Sequence, residues 1–121
     1  MAKTILFADD SASMRQLVEF SLKEAGYSII TAVNGKDALT KLESSSADMV
    51  ITDLNMPEMD GITFIKNLRQ KAGHKFTPVV MLTTESKEDK KNEGIKAGAS
   101  GWIVKPFKPD QLTEVVKRFL K

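Results

Sequence analysis

Asp53-Leu54-Asn55-Met56-Pro57-Glu58-Met59-Asp60-Gly61 follows the apolar run Met49-Val50-Ile51. An apolar run that ends in a carboxylate and then passes through Asn, Pro and Gly reads as a buried strand running out into a loop. In an open α/β sheet that junction is where ligands bind. Asp53 therefore stands at a strand end and is a candidate nucleophile for accepting a phosphoryl group.

The flanking chain repeats the strand-then-helix pattern. Before the quoted stretch, Ile5 to Ala8 is a short uniform apolar run ending at Asp9-Asp10, as expected for a strand covered on both faces. Ser11 or Ser13 caps the next helix, whose inward face holds Met14, Leu17, Val18, Ser21, Leu22 and Ala25. Gly26 ends it. Ser28 to Ala32 is a second strand, and Asn34-Gly35 turns into a helix with Ala38, Leu39 and Leu42 inward. Ser44 to Ser46 breaks that helix, and Asp48 to Asp53 is the third strand.

After Gly61 comes a helix with Ile62, Ile65 and Leu68 inward. Pro78 opens a fourth strand, Val79 to Leu82, closed by Thr83-Thr84. Lys87 to Lys96 is a charged helix with Gly94 inside it and almost no apolar face, so it is expected to be loosely held. Ala97-Gly98-Ala99 ends it, and Trp102-Ile103-Val104 is the fifth strand, ending at Lys105-Pro106. Pro109 or Asp110 begins a last helix with Leu112, Val115, Val116, Phe119 and Leu120 inward. Such alternation predicts an α/β fold: a parallel sheet with helices on both faces, in one domain spanning 1–121 with no output domain attached.

Composition narrows the function classes. The chain has 121 residues, 41% hydrophobic and 28% charged, which suits one soluble globular domain. A net charge of +2 is too small to argue for nucleic acid or an anionic membrane. Without Cys, there is no disulfide, thiolate catalysis or Cys-ligated metal. No apolar run approaches the ~20 residues of a transmembrane helix, and the N-terminus is no signal peptide, so a cytoplasmic protein is expected. His74 sits in the polar stretch Lys71 to Lys75 and reads as a surface residue. Phe107 is assigned to packing.

In a parallel sheet the C-terminal strand ends share one rim. Strand one brings Asp9 and Asp10, strand three Asp53, strand four Thr83 and strand five Lys105. Carboxylates ~4 Å apart repel by about 4 kcal/mol per pair at an effective dielectric near 20, so the rim needs cations. Lys105 supplies one. The oxygen-only donors suit Mg²⁺, with Mn²⁺ as a substitute, and disfavour zinc. Asp10, Asp53 and the Asn55 backbone carbonyl are the candidate ligands, with Asp9 holding a metal-bound water. A carboxylate can attack phosphorus to form an acyl phosphate. Lys105 and the cation would stabilise the transferring oxygens. The Thr83 hydroxyl would bond the arriving phosphoryl group and pull its loop inward.

Taken jointly, Asp9-Asp10, Asp53 with Met56-Pro57 and Gly61, Thr83, and Lys105-Pro106-Phe107 resemble the response-regulator receiver domain along the whole chain. The run Ala97 to Phe107 is similar to that of the CheY-like single-domain chemotaxis regulators. The resemblance implies a flavodoxin-like (βα)5 fold, with the strand order 2-1-3-4-5 known for that fold. It implies a phospho-accepting regulator of a two-component system. Asp53 would be phosphorylated with Mg²⁺ by a CheA-like histidine kinase, and strand five with helices four and five would form the switching face. The target would be a protein such as the flagellar motor switch, a phosphatase could act on it, and the chain would be a monomer that contacts no nucleic acid and no membrane. Such a domain catalyses only its own phosphorylation and dephosphorylation. Asn55 and Glu85 match positions that tune phosphoryl lifetime, and the Lys105-Pro106 bond matches one that is usually cis.

At Trp102 the family usually has a smaller ring that swings inward when the Thr moves. The indole either switches with another rotamer or sits outward as a docking residue. Three alternatives are weighed against the regulator. A relay intermediate passing phosphate to a histidine phosphotransfer domain has the same rim. An aspartate-nucleophile phosphohydrolase lacks a general acid, since Asn55 stands two residues beyond Asp53, and lacks a cap insertion. The third is a flavodoxin-like cofactor module, which lacks a Gly-rich phosphate loop after strand one, or a receiver that never becomes phosphorylated.

Overall fold

A computed structural model of the chain describes residues 2–71, 73–84 and 88–120. Strands β1 (Thr4–Ala8), β2 (Ser28–Ala32), β3 (Met49–Asp53), β4 (Val79–Thr83) and β5 (Gly101–Val104) alternate with helices. These are α1 (Ala12–Glu24), α2 (Gly35–Ser44), α3 (Gly61–Gln70), α4 (Glu88–Ala97) and α5 (Pro109–Phe119). The strands form one parallel sheet in the order β2-β1-β3-β4-β5. The fold is the flavodoxin-like one expected.

The uniform apolar strands are explained by two cores. Leu6, Ala8, Val50, Val79 and Met81 point to one face and pack under Ala38 and Leu42 of α2, Phe64, Ile65 and Leu68 of α3, and Ala97 of α4. Ile5, Phe7, Met49, Ile51, Val80, Leu82 and Ile103 point to the other, under Val18 and Leu22 of α1 and Leu112 and Val116 of α5. Alternate residues of one strand thus feed opposite cores, the period-two geometry of a strand.

The helix starts are built from side chains. Ser11 caps α1 through Met14 N, Asn34 caps α2 through Asp37 N, and Asp60 caps α3 through Thr63 N. Of the two serines weighed for α1, Ser11 accepts the bond, with Ser13 Oγ 3.2 Å from its hydroxyl. Pro109 opens α5, where a missing N–H costs nothing.

Several expectations need correcting. Leu17 and Ala25 of the predicted inward face of α1 are exposed. The apolar stripe buried under α1 is narrower than the sequence pattern, because α5 flanks it on only one side. His74 is not on the surface: it is 6% exposed, and its Nδ1 lies 3.1 Å from Thr77 Oγ1. Local polarity misleads there, because Arg69 folds the α3–β4 loop over the histidine by donating to the carbonyls of His74 and Thr77. Gly94, read as a weakness in α4, is a close-approach point: a Cβ there would fall 2.1 Å from Met81 Sδ. Its missing side chain is what lets α4 lie down on β4.

Candidate functional site: an acidic rim at the strand ends

The site assembles because β1, β3, β4 and β5 run parallel and end together. Asp53 is the last residue of β3, paired with Leu82 of β4. Asp9 follows β1 and Thr83 closes β4. Lys105 follows β5, with its N–H donating to the Thr83 carbonyl at 2.8 Å. Asp53, Asp9 and Thr83 are buried, while Asp10 is exposed.

Lys105 is the centre of charge. Its Nζ lies 3.1 Å from Asp9 Oδ2 and 3.3 Å from Asp53 Oδ1. One carboxylate oxygen from each of Asp9, Asp10 and Asp53 lies within 4.8 Å of the other two. A single ammonium leaves three carboxylates with a net negative charge. Burial first, then the Asp9 carboxylate, pushes the Asp53 carboxyl above its ordinary 3.8, while Lys105 and a hydrogen bond from Leu54 N pull it back down. The donor set, all oxygen and net anionic, fits a hard divalent cation.

The two oxygens of Asp53 are not equivalent. Oδ1 accepts from Leu54 N at 2.9 Å and faces Lys105. The hydrogen bond and ion pair of Asp53 among the described residues both fall on Oδ1 and not on Oδ2. Gly61 keeps the strand end in place: its N–H donates to the Leu54 carbonyl at 2.9 Å, and a Cβ there would fall 2.3 Å from the Asp53 carbonyl. Only glycine lets α3 begin that close to β3. Glu58, in the same loop, has a φ of 65°. Asn34 Nδ2 reaches its carboxylate at 3.4 Å and ties this loop to the start of α2.

The remaining candidates fall as follows. Asn55 is exposed in the loop two residues past Asp53. The Lys105-Pro106 peptide is cis. Phe107 packs against the α1–α5 core. Trp102 is 42% exposed, and Lys91 Nζ of α4 stands 4.9 Å from its ring centroid. In this structure the indole lies outward, under a cation–π contact. Glu85 and Lys87 lie outside the described residues.

Two residues of the site were not anticipated. Ser11 N donates to Asp9 Oδ1 at 2.9 Å, and Arg15 Nη1 donates to the Asp9 carbonyl at 2.8 Å. The signal for Arg15 was its position: a cation in the first turn of a helix, against the dipole. No described helix is long and apolar enough to cross a membrane.

Comparison with known proteins agrees with this geometry. The chain is 44% identical to the chemotaxis protein CheY4 of Vibrio cholerae, with a TM-score of 0.95 over 98% of this chain and 99% of that one. It is 33% identical to the receiver domain of a signal transduction histidine kinase from Syntrophus aciditrophicus, with a TM-score of 0.91 over 98% and 90% of the two chains. It is also 37% identical to the alkaline phosphatase synthesis transcriptional regulatory protein PhoP of Bacillus subtilis. There it matches over its whole length and spans 50% of the relative. The family model of the response regulator receiver domain matches residues 5–117. With the fold, the rim and this match in agreement, the chain belongs to the response regulator receiver domain family.

Proposed function

We propose that this receiver domain, a signalling module of a two-component system and not a classical enzyme, is switched by phosphorylation of Asp53. The observation that carries the reading is the ion-paired cluster: Lys105 Nζ between Asp9 Oδ2 and Asp53 Oδ1, with Asp10 beside them. Asp53 Oδ2 is the attacking atom, because Oδ1 is already occupied. A histidine kinase is the donor: the P–N bond of its phosphohistidine breaks, a P–O bond forms at Asp53, and the imidazole leaves with the electron pair. Lys105 neutralises charge on the incoming group. The Thr83 hydroxyl receives the phosphoryl oxygens and carries the strand-four loop with it.

Asp10, Asp53 and the Asn55 carbonyl would hold Mg²⁺, or Mn²⁺ in its place, with Asp9 bonding one of its waters. When bound, the cation supplies charge that stabilises the transferring phosphoryl oxygens. Asn55 and Glu85 tune the lifetime of the phosphoryl group. The output is a protein contact made by β5 and the helices beside it, with Trp102 as its aromatic anchor. We place the domain in the cytoplasm, as a monomer.

Chemotaxis, with a CheA-like kinase and a target such as the flagellar motor switch, is the pathway we favour. Its support is the near-complete mutual coverage with CheY4. A relay role, passing phosphate to a histidine phosphotransfer domain, has the support of the kinase-borne receiver at 33% identity. The decisive experiment is labelling by acetyl phosphate with Mg²⁺, read by intact mass on wild type and Asp53→Asn. Labelling of the wild type alone supports the reading, and equal labelling of both excludes Asp53. Phosphate passed onward to a purified phosphotransfer domain would favour the relay.

A further inference from the structure

Arg15 is misplaced by the ordinary rules of helices. It lies in the first turn of α1, where the dipole disfavours a cation, and no acid in that turn offsets it. Its side chain instead turns back past the helix start, and Nη1 donates to the carbonyl of Asp9 at 2.8 Å in a part-buried contact. A charged donor to a carbonyl is among the stronger hydrogen bonds.

That bond completes the immobilisation of Asp9. The N–H of Asp9 donates to Ala32 O at 3.1 Å. Its Oδ1 accepts from Ser11 N, and its Oδ2 faces Lys105. The carbonyl held by Arg15 belongs to the planar peptide that begins Asp10, so fixing it fixes the direction in which Asp10 leaves the strand. Asp10 needs such a constraint: it is exposed, and its carboxylate has no hydrogen bond or ion pair among the described residues. Yet it comes within 4.8 Å of two other carboxylates that repel it.

We propose that Arg15 is a positioning residue for the acidic rim: through the Asp9 carbonyl it orients the Asp9–Asp10 peptide so that Asp10 faces Asp53, and so sets divalent-cation affinity. The inference rests on the reading of the rim given above. Groups that orient metal-binding side chains from behind typically change affinity by about 10–100-fold when removed. Lysine keeps the charge but reaches less far and has no planar fork, so it separates orientation from charge.

The test is Mg²⁺ titration by calorimetry on the full chain, for wild type, Arg15→Lys, Arg15→Met and Asp53→Asn, with thermal melts of each. Both Arg15 variants are expected to bind Mg²⁺ about tenfold more weakly. Labelling by acetyl phosphate should recover in them as Mg²⁺ is raised. The backbone amide resonance of Asp10 should move in Arg15→Lys. Mg²⁺ affinity within twofold of wild type in Arg15→Lys would overturn the orienting role. So would an unmoved Asp10 amide, and this readout stands even where the Met variant melts early. If the wild type itself takes up no Mg²⁺, the reading of the rim falls. If wild type binds Mg²⁺ and is labelled on Asp53 while the Arg15 variants match it, only the role of Arg15 falls.

Discussion

Arg69 of α3 and Gly98, just past the end of α4, are joined by a forked hydrogen bond: Nε and Nη2 both donate to the Gly98 carbonyl, at 3.1 and 2.6 Å. The same guanidinium spends Nη1 on the carbonyls of His74 and Thr77, at 2.9 and 2.6 Å. Three carbonyls from two loops therefore depend on one side chain. Burial lowers the Arg69 pKa from its ordinary value. Arg69→Lys offers one point donor in place of the fork. It should lower stability in urea by about 2 kcal/mol, in the range for lost hydrogen bonds to a charged group. A change below about 0.5 kcal/mol, within the range of ordinary surface substitutions, would show that the clamp holds nothing.

His74 beneath that clamp gives a pH dependence. Burial, then Lys71 and Arg69, lower its pKa below the ordinary 6.5, so the folded protein keeps the ring neutral. As pH falls through about 6.5 the unfolded chain takes up the proton first, and stability is lost. The loss stops once pH drops below the folded pKa. Urea melts at pH 7.5 and 5.5 should show wild type weakening relative to His74→Gln, by no more than about 1.4 kcal/mol per pH unit for one proton. Parallel pH profiles would return His74 to the surface.

Asp53 has the opposite sign. Its folded pKa is raised, so the folded state binds a proton more tightly than the unfolded chain. Stability from this group is therefore lost as pH rises through its titration, and at neutral pH the charged carboxylate weakens the fold. Asp53→Asn should accordingly melt higher than wild type without added metal, by about 1 kcal/mol, the scale on which functional groups are held against stability. Mg²⁺ should narrow the gap by binding wild type alone. A less stable Asn variant in metal-free buffer would contradict this.

Two glycines should respond differently to alanine. At Gly61 the new Cβ meets backbone, 2.3 Å from the Asp53 carbonyl and 2.9 Å from Leu54 Cα. At Gly94 it meets only the flexible end of Met81. Gly61→Ala should cost about 3 kcal/mol, the upper range for overpacking. It should also displace Asp53 and slow labelling. Gly94→Ala should cost about 1 kcal/mol or less, because helix propensity returns up to ~1 kcal/mol. Equal costs in chemical denaturation would mean that the two close approaches yield alike.

The sequence and the structure agree where the signal is periodic. Strands buried on both faces must be apolar throughout, and Ile5 to Ala8 and Val79 to Leu82 are. Strand ends must converge in a parallel sheet, so topology alone puts Asp9, Asp53 and Lys105 on one rim. What was not legible depends on side-chain reach across the fold. His74 looked solvated because its neighbours in sequence are polar, and only Arg69, five residues earlier, closes the loop over it. Leu17 has the right spacing for burial but is 42% exposed, at an open cleft it shares with Pro109 and Thr113 of α5. Gly94 cannot be told from a helix defect until Met81 is seen beneath it. Arg15 contradicted a local rule, and such a contradiction is itself a signal to follow.

Every neighbouring pair in the sheet joins segments roughly 20 or more residues apart, from Thr4 with Ser28 to Val80 with Gly101. Among the described residues no hairpin joins neighbouring strands, so each pairing requires closing a long segment, a topology that slows folding. β3 lies at the centre, paired with both β1 and β4, and β5 pairs only with β4. Asp53 thus ends a strand hydrogen-bonded on both sides, whereas the single tryptophan sits on a strand paired on one side alone. Refolding read by Trp102 emission therefore reports the docking of the β5 edge onto β4.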